Sequence, residues 1–451
     1  MIHKYKMNNY FIVLDVNSGA IHIVDEIVYD ILDYYKSEPQ SIYDKLQSKY
    51  DKNDLEKALK EIQELEKNNL LYTEDIYENV ASDIKNRGAV VKALCLHMAH
   101  DCNLRCTYCF AHDGTYKGEI TLMPLDIGKK AIDFLLTNSG SRKNLEVDFF
   151  GGEPLLNFDV VKEIVTYARE KEKPLGKNIR FTITTNGLLL DDEKTAYIQQ
   201  NMHNVVLSLD GRKIVNDKMR KTINGESSYD IIMPKYKKFM ATDFDKYYVR
   251  GTFTKENIDF CDDVMHLAEL GFKNISIEPV VSPESVTFSI QEEDIDTICT
   301  EYEKLATTML DANQDFNFFH FMIDLEGGPC ATKRMVGCGA GTEYLAVTPT
   351  GELFPCHQFV SDDSFKIGDV ENGITNDELH EKFANINIYT KEACKTCWGK
   401  FYCSGGCAAN GYTEAGGLNE VYDIGCKLQL KRTECAIMIK AHQAIQAEES
   451  L

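Results

Sequence analysis

The chain is short of positive charge: Lys and Arg number 49 against 71 Asp and Glu, a formal net charge of -22 over 451 residues. Binding to nucleic acid or to an anionic membrane surface calls for basic patches, so this balance argues against both. Long apolar runs are also missing. No stretch approaches the ~18 apolar residues of a membrane span. The opening MIHKYKMNNYFIVLDV carries a brief apolar run broken by Asp15, with no small-residue cleavage site after it, so it does not read as a secretion signal. Internal repeats beyond β-α units and low-complexity tracts are absent. These absences point to a cytoplasmic protein. Hydrophobic residues make up 43%, enough for real cores, and the length suits two to four domains at ~100–200 residues each.

What the chain does have is cysteine, 15 in all. In a reducing compartment clustered cysteines more often bind metals than form disulfides. Cys95, Cys261, Cys299 and Cys435 stand apart and read as buried thiols. The others gather in two stretches.

Three regions separate by pattern. In residues 1–75, FIVLDV and AIHIV read as strands around the turn Asn17-Ser18-Gly19. Helices are expected near Ile27–Tyr35, Ile42–Lys49 and Leu55–Asn68, the last with Leu55, Leu59, Ile62 and Leu65 at helical spacing, and LLYTED reads as a closing strand. Together they suggest a winged-helix-like module. Residues 76–89 read as a polar linker. Residues 90–315 alternate strands (Val90–Met98, Leu145–Phe150, Arg180–Thr185, Val205–Leu209, Tyr247–Thr254, Asn274–Glu278) with helices such as Leu125–Leu136, Asp159–Glu170, Glu193–Asn201 and Phe260–Leu270. That rhythm implies an α/β fold with a parallel sheet, a partial TIM-like (β/α)6 barrel whose site lies at the C-terminal ends of the strands. Residues 316–451 lose the rhythm, are rich in Gly and Cys, and end in a helix from Lys427. So small a core usually needs metal staples.

Cys102, Cys106 and Cys109 follow the first barrel strand at its active end, spaced C-x3-C-x2-C in HDCNLRCTYCF. Soft thiolates suit iron–sulfur clusters. Three ligands leave one iron of a [4Fe–4S] cluster open to the amino and carboxylate groups of a small molecule, the requirement for reductive cleavage of S-adenosylmethionine. The competing reading is zinc, with His97, His100 or His112 as fourth ligand, although zinc motifs usually show paired C-x2-C spacing.

The segment, with Phe110 after the last cysteine, resembles the radical S-adenosylmethionine superfamily. Gly151-Gly152-Glu153-Pro154 after the second strand resembles that family's cofactor-binding GGEP segment, although alone it reads as a tight turn. Thr185-Asn186-Gly187 resembles the family's TNG turn, and Ser208-Leu209-Asp210-Gly211 stands where the family places ribose-contacting groups, making Ser208 and Asp210 candidates. Arg250 could pair with the cofactor carboxylate or form an ion pair inside the barrel. Tyr108 could pack near adenine or cover the cluster.

The third region holds Cys338, Cys356, Cys394, Cys397, Cys403, Cys407 and Cys426 in the order and spacing of the SPASM domain found on radical enzymes that modify peptides and proteins. The resemblance implies a first auxiliary cluster on Cys338, Cys356 and Cys407, and a second on Cys394, Cys397, Cys403 and Cys426, hence three [4Fe–4S] clusters in all. Residues 339–355 contain no further cysteine, so the first auxiliary cluster has an open iron unless Cys330 fills it. Zinc on Cys394 and Cys397 is the alternative, and it leaves the other spacings unexplained.

The N-terminal region resembles the PqqD-like element with which maturases of ribosomal peptides bind a leader by strand addition. A DNA-binding winged helix is disfavoured by Asp25, Glu26, Asp30, Glu56 and Glu61 along the expected helices; a dimerisation module is the other alternative. Taken whole, the chain resembles the maturases of SCIFF peptides, which implies a thioether from a peptide cysteine to a carbon of another residue, threonine in that case. Cys102, Cys106 and Cys109 are then catalytic, the partners a cysteine-rich precursor peptide and an electron donor such as ferredoxin or flavodoxin. The alternatives are an anaerobic sulfatase-maturing enzyme making formylglycine, disfavoured by the N-terminal module, and a non-enzymatic electron carrier or peptide scaffold, disfavoured by GGEP and the open iron.

Overall fold

The structure is a computed structural model and describes residues 1–84, 90–311, 314–325 and 331–449. Residues 85–89 of the expected linker and Cys330 lie outside the described residues.

The N-terminal module opens with an antiparallel sheet of β1 (Ile2–Met7), β2 (Tyr10–Asp15) and β3 (Ile21–Val24), in that order. Helices α1 (Glu26–Ile31), α2 (Ile42–Leu46) and α3 (Lys52–Lys67) follow close to their expected places. Asp25 caps α1 by accepting from the Val28 amide, which satisfies one of the unpaired donors of the first turn. On α3, Leu55, Ala58 and Ile62 recur at helical spacing and bury against Val13, Val28 and Ile31, a core separate from that of the barrel.

The sequence misjudges two features here. LLYTED is not a strand: Asn69 and Tyr72 take positive φ of 55° and 57°, so the chain turns, and Thr73 is fastened by backbone and side chain to Asp15. Conversely β1 was not expected, because Lys and His interrupt it; its Tyr5 and Met7 are buried, and the Tyr5 hydroxyl donates to the carbonyl of Glu434 on the C-terminal helix. The linker also holds a short helix, α4 (Glu78–Ile84).

The barrel strands are β4 (Ala93–His100), β5 (Asn144–Gly151), β6 (Asn178–Thr185), β7 (Asn204–Ser208), β8 (Tyr247–Phe253) and β9 (Asn274–Pro279). All pair in parallel and lie in sequential order. Helices α5 (Leu125–Asn138), α6 (Phe158–Glu172), α7 (Asp192–Asn201), α8 (Tyr229–Met240), α9 (Phe260–Glu269) and α10 (Ile295–Thr308) lie between and after them. Burial explains the sequence pattern. β4 is buried from Ala93 to Ala99, as a parallel strand covered on both faces should be. β6 buries alternate residues, Ile179, Phe181, Ile183 and Thr185.

The third region does not stand apart from this sheet. Asn317–Phe318 pairs with β9 at one edge. At the other, β10 (Tyr344–Val347) pairs in parallel with β4, Tyr344 opposite Ala93 and Val347 opposite Leu96, and Glu352–Phe354 returns antiparallel beside it. The terminal helix α11 (Asp423–Glu449) packs along α10. Among the described residues, no helix is long and apolar enough to cross a membrane.

Candidate active site

A cavity of about 330 Å³ opens at the C-terminal ends of the barrel strands, where a parallel β/α arrangement places its chemistry. Cys102, Cys106, Tyr108 and Cys109 line one side, and Gly151, Gly152, Asn186, Ser208 and Arg220 form a shelf. Arg250, Thr252, Glu278, His357, Gln358 and Asn410 complete the lining.

Gly151 has φ of +115°, a region closed to most side chains. A Cβ there would drive into the carbonyl oxygen of Ala99, and one on Gly152 into that of Asp101. The glycines are therefore required by the backbone of the cysteine loop itself, which they approach closely enough to bond: Gly152 N to Ala99 O at 2.8 Å and Glu153 N to Asp101 O at 2.9 Å.

Glu153 is fully buried and does not line the cavity. Its carboxylate accepts from Thr185 Oγ1 (2.8 Å), Asn186 N (2.8 Å) and Leu155 N (3.0 Å), binding the GGEP turn to the Thr185-Asn186-Gly187 turn. Burial raises its pKa to about 7, against those three hydrogen bonds. Asn186 Nδ2 in turn donates to Asn103 at 2.7 Å, inside the cysteine loop. Asp210 is also fully buried. It accepts from the Tyr108 hydroxyl with both oxygens, at 2.8 and 2.7 Å, and from Thr252 N at 3.1 Å. Burial raises its pKa to about 6. Asp210 thus acts on the cavity through Tyr108, while Ser208 and Tyr108 reach it directly.

Sequence reasoning missed Arg220. Its guanidinium is buried, donates to the Tyr108 hydroxyl at 3.0 Å, lies 3.9 Å from Asp210, and keeps Nε without a protein partner. In sequence it lies ten residues after Asp210, beyond the short helix Lys213–Met219, and reads as one of several basic residues in KMRK. A buried donor on the cavity wall suits a carboxylate. Arg250, weighed from the sequence as a carboxylate partner or as half of an ion pair inside the barrel, pairs with Glu278 at 2.8 Å. His357 was missed too; it packs beside Phe110 and Phe150 on the same wall.

The third-region cysteines fall into two groups of neighbours. Cys338, Cys356 and Cys407 are electrostatic neighbours of one another, and Cys426 of Cys394, Cys397 and Cys403. Burial first, and neighbouring thiols second, push Cys426 up to about 12. Charge there is tolerated only opposite a cation. Among the described residues, no three motif cysteines bring their sulfurs within 4.8 Å of one another. Soft thiolates grouped in threes and fours suit iron–sulfur clusters. Cys95 and Cys435 are buried as expected, as is Cys261, whereas Cys299 is half-buried.

The N-terminal region is fastened to the second cysteine group. Lys400 lies between Cys397 and Cys403 with its side chain 3% exposed. Asp75 meets its ammonium at 2.6 Å and accepts from the Tyr389 hydroxyl at 2.8 Å. His3 stacks on Trp398 at 3.8 Å between centroids, nearly coplanar, and bonds Glu434 at 2.9 Å.

The family model of the radical SAM superfamily matches residues 96–268, and that of an iron–sulfur cluster-binding domain, SPASM, matches residues 338–398. The chain is 25% identical over 329 residues to a cysteine-type anaerobic sulfatase-maturating enzyme of Clostridium novyi (strain NT), covering 69% of this chain and 86% of that one. Among solved structures it resembles native anSMEcpe with bound AdoMet and Cp18Cys peptide, with a TM-score of 0.64 at 20% identity over 79% of this chain and 99% of that one. It also resembles Streptococcus suis SuiB bound to precursor peptide SuiA, with a TM-score of 0.55 at 16% identity over 94% of this chain and 98% of that one. Both are likenesses of fold.

Proposed function

Since the chain belongs to the radical S-adenosylmethionine superfamily and carries a SPASM iron–sulfur domain, we propose that it forms an intramolecular thioether, joining a cysteine sulfur to a carbon of another residue, threonine in the first instance, in a ribosomally made cysteine-rich precursor peptide. The observation that carries this reading is the composition of the cavity. Its lining combines the loop of Cys102, Cys106 and Cys109 with His357 and Gln358, directly after Cys356, and Asn410, shortly after Cys407, and His357 packs against Phe110, the residue after Cys109. A side chain held there lies between the two kinds of cysteine site.

Cys102, Cys106 and Cys109 would hold the first cluster, and Gly151, Gly152, Ser208 and Arg220 the S-adenosylmethionine, with Arg220 taking its carboxylate on the unpartnered Nε side. Glu153 and Asp210 are positioning residues, the one locking the shelf to the loop, the other fixing Tyr108 and Arg220. When bound, cluster and cofactor supply a carbon radical able to take a hydrogen atom from the peptide. Cys338, Cys356 and Cys407 would hold a first auxiliary cluster with three thiolates, and Cys394, Cys397, Cys403 and Cys426 a second. In the net reaction a C–H and an S–H bond would break and a C–S bond form: one hydrogen leaves as an atom in 5′-deoxyadenosine, the other as a proton, and the one remaining electron passes to the clusters, offsetting the electron that a donor such as ferredoxin or flavodoxin supplies to cleave S-adenosylmethionine. The aromatic wall of Phe110, Phe150 and His357 keeps water from the reacting carbon.

The N-terminal module is proposed to bind the peptide's leader. Among the described residues β3 has no neighbour on its outer side, and its Ile23 is exposed, which suits strand addition. The sulfatase-maturase relative favours a second reading, conversion of a peptide cysteine to formylglycine.

The deciding experiment incubates the reconstituted protein with S-adenosylmethionine, a low-potential reductant and a cysteine- and threonine-containing leader–core peptide. A product lighter by one hydrogen molecule, with one thiol gone, supports the thioether. A product that has lost its sulfur and gained an aldehyde overturns it in favour of formylglycine.

A further inference from the structure

The Arg250–Glu278 pair has no evident structural purpose. The two residues stand on the adjacent strands β8 and β9, with Arg250 opposite Ser276 and Thr252 opposite Glu278, so the pair runs diagonally across the sheet. Their side chains are 52% and 35% exposed. An ion pair this wet adds little to stability. Yet both line the 330 Å³ cavity rather than the outer surface.

Glu278 also borders a second cavity, of about 200 Å³, lined by Cys403, Cys407 and Cys426. Pro279, Val280, Val281 and Asn410 are common to both cavities. The pair therefore stands where the space beside the first cysteine loop meets the space beside the third-region cysteines. The other charged groups facing it are already committed. Arg220 is buried against Tyr108, and Arg432, which lines the second cavity, donates to Tyr302 and to His320. Glu278 and Asp113 are the acidic residues of the main cavity's lining.

We infer that Arg250 and Glu278 are a peptide clamp: they part to hold the backbone of the substrate segment between its cysteine and its acceptor residue, Arg250 donating to a peptide carbonyl and Glu278 accepting a peptide N–H. The guanidinium fork and the carboxylate match the two halves of an amide. A weak pair can exchange partners at small cost, and its position makes it a specificity-determining device that sets the spacing of the joined residues. This rests on the reading that a peptide occupies the cavity.

The test compares R250A and E278A, with R250K and E278Q as conservative variants, on a leader–core peptide that the wild type converts. Peptide KM should rise about tenfold in the alanine variants, with more 5′-deoxyadenosine released per modified peptide, because the acceptor carbon is no longer held. R250K and E278Q should recover part of the coupling. The dissociation constant for S-adenosylmethionine, measured without peptide, should stay within twofold. Weaker S-adenosylmethionine binding in R250A would return this arginine to the cofactor and overturn the clamp, as would an unchanged KM and an unchanged ratio of 5′-deoxyadenosine to product. Failure of any peptide to bind the wild type sinks the peptide reading as well, so the two failures are distinguishable.

Discussion

Asp75→Ala should unfasten the N-terminal region from the second cysteine group. Lys400, 3% exposed, would lose the carboxylate at 2.6 Å and keep a weaker contact with the carbonyl of Lys395 at 3.2 Å. Breaking a buried pair by removing one partner costs about 3–5 kcal/mol, because the remaining charge stays desolvated. Asp75 keeps some contact with water, its side chain 19% exposed, so the lower end, about 3 kcal/mol, is expected. Lys400→Met should cost less, since the carboxylate left behind retains the Tyr389 hydroxyl and solvent. The double variant should be more stable than Asp75→Ala alone, giving a coupling of about 2 kcal/mol. Anaerobic urea unfolding can be followed by the fluorescence of Trp398, the single tryptophan, which stacks on His3 across the same junction. The pH dependence has a definite sign. Burial raises the Asp75 pKa, but Lys400 and Tyr389 outweigh it and hold the carboxyl below its usual value. The stabilisation is therefore present above the unfolded pKa of about 3.9 and fades as pH falls through the folded value. The difference between wild type and Asp75→Ala should be flat from about pH 5 to 8. A difference under about 0.5 kcal/mol at pH 7, or one that grows as the pH drops to 5, refutes the reasoning.

Gly151→Ala should abolish cofactor binding and destabilise the cysteine loop by more than about 2 kcal/mol, since a Cβ meets the Ala99 carbonyl and φ is positive; normal S-adenosylmethionine affinity in that variant would show that the shelf tolerates movement. Arg220→Met should weaken S-adenosylmethionine binding at least tenfold, read by calorimetry on the reconstituted protein, and should also loosen Tyr108; unchanged affinity would remove Arg220 from the cofactor site. Cys407→Ala should lower bound iron by about four atoms per chain or fewer and leave the spectrum of the Cys102, Cys106 and Cys109 cluster in place; loss of all iron would mean that the cysteine groups do not form independently.

The α/β rhythm was legible because periodicity and burial agree: β4 reads as an unbroken apolar run and β6 as a strict alternation, and each lies within a few residues of its expected span. The division of the third-region cysteines into two groups was readable only through the resemblance to the SPASM pattern, since Cys407 follows Cys403 closely in sequence yet neighbours Cys338 and Cys356. What escaped depends on contacts between distant segments. β1 looks polar until α11 covers Tyr5 and Met7. Residues 70–75 look like a strand until Asp15 claims Thr73. Arg220 and His357 carry no local signal, since one is defined by Tyr108 and the other by Phe110 and Phe150, each more than a hundred residues away in sequence. Arg250, in the middle of β8, and Arg220, outside the six barrel strands, look alike in sequence as single basic residues, and burial separates them.

The pairing of β10 with β4 makes a rigid jig of what might have been two hinged bodies. β4 leads into Cys102 and the hairpin after β10 leads into Cys356, and the two strands are stitched in register from Ala93 to Leu96. The segments that carry Cys102 and Cys356 therefore hang from hydrogen-bonded strands of one sheet, and its register fixes how they stand to each other. Whatever occupies the space between them must do the adjusting. A flexible guest meets a fixed gauge, and the separation of its two joined residues is read off against hydrogen-bonded backbone.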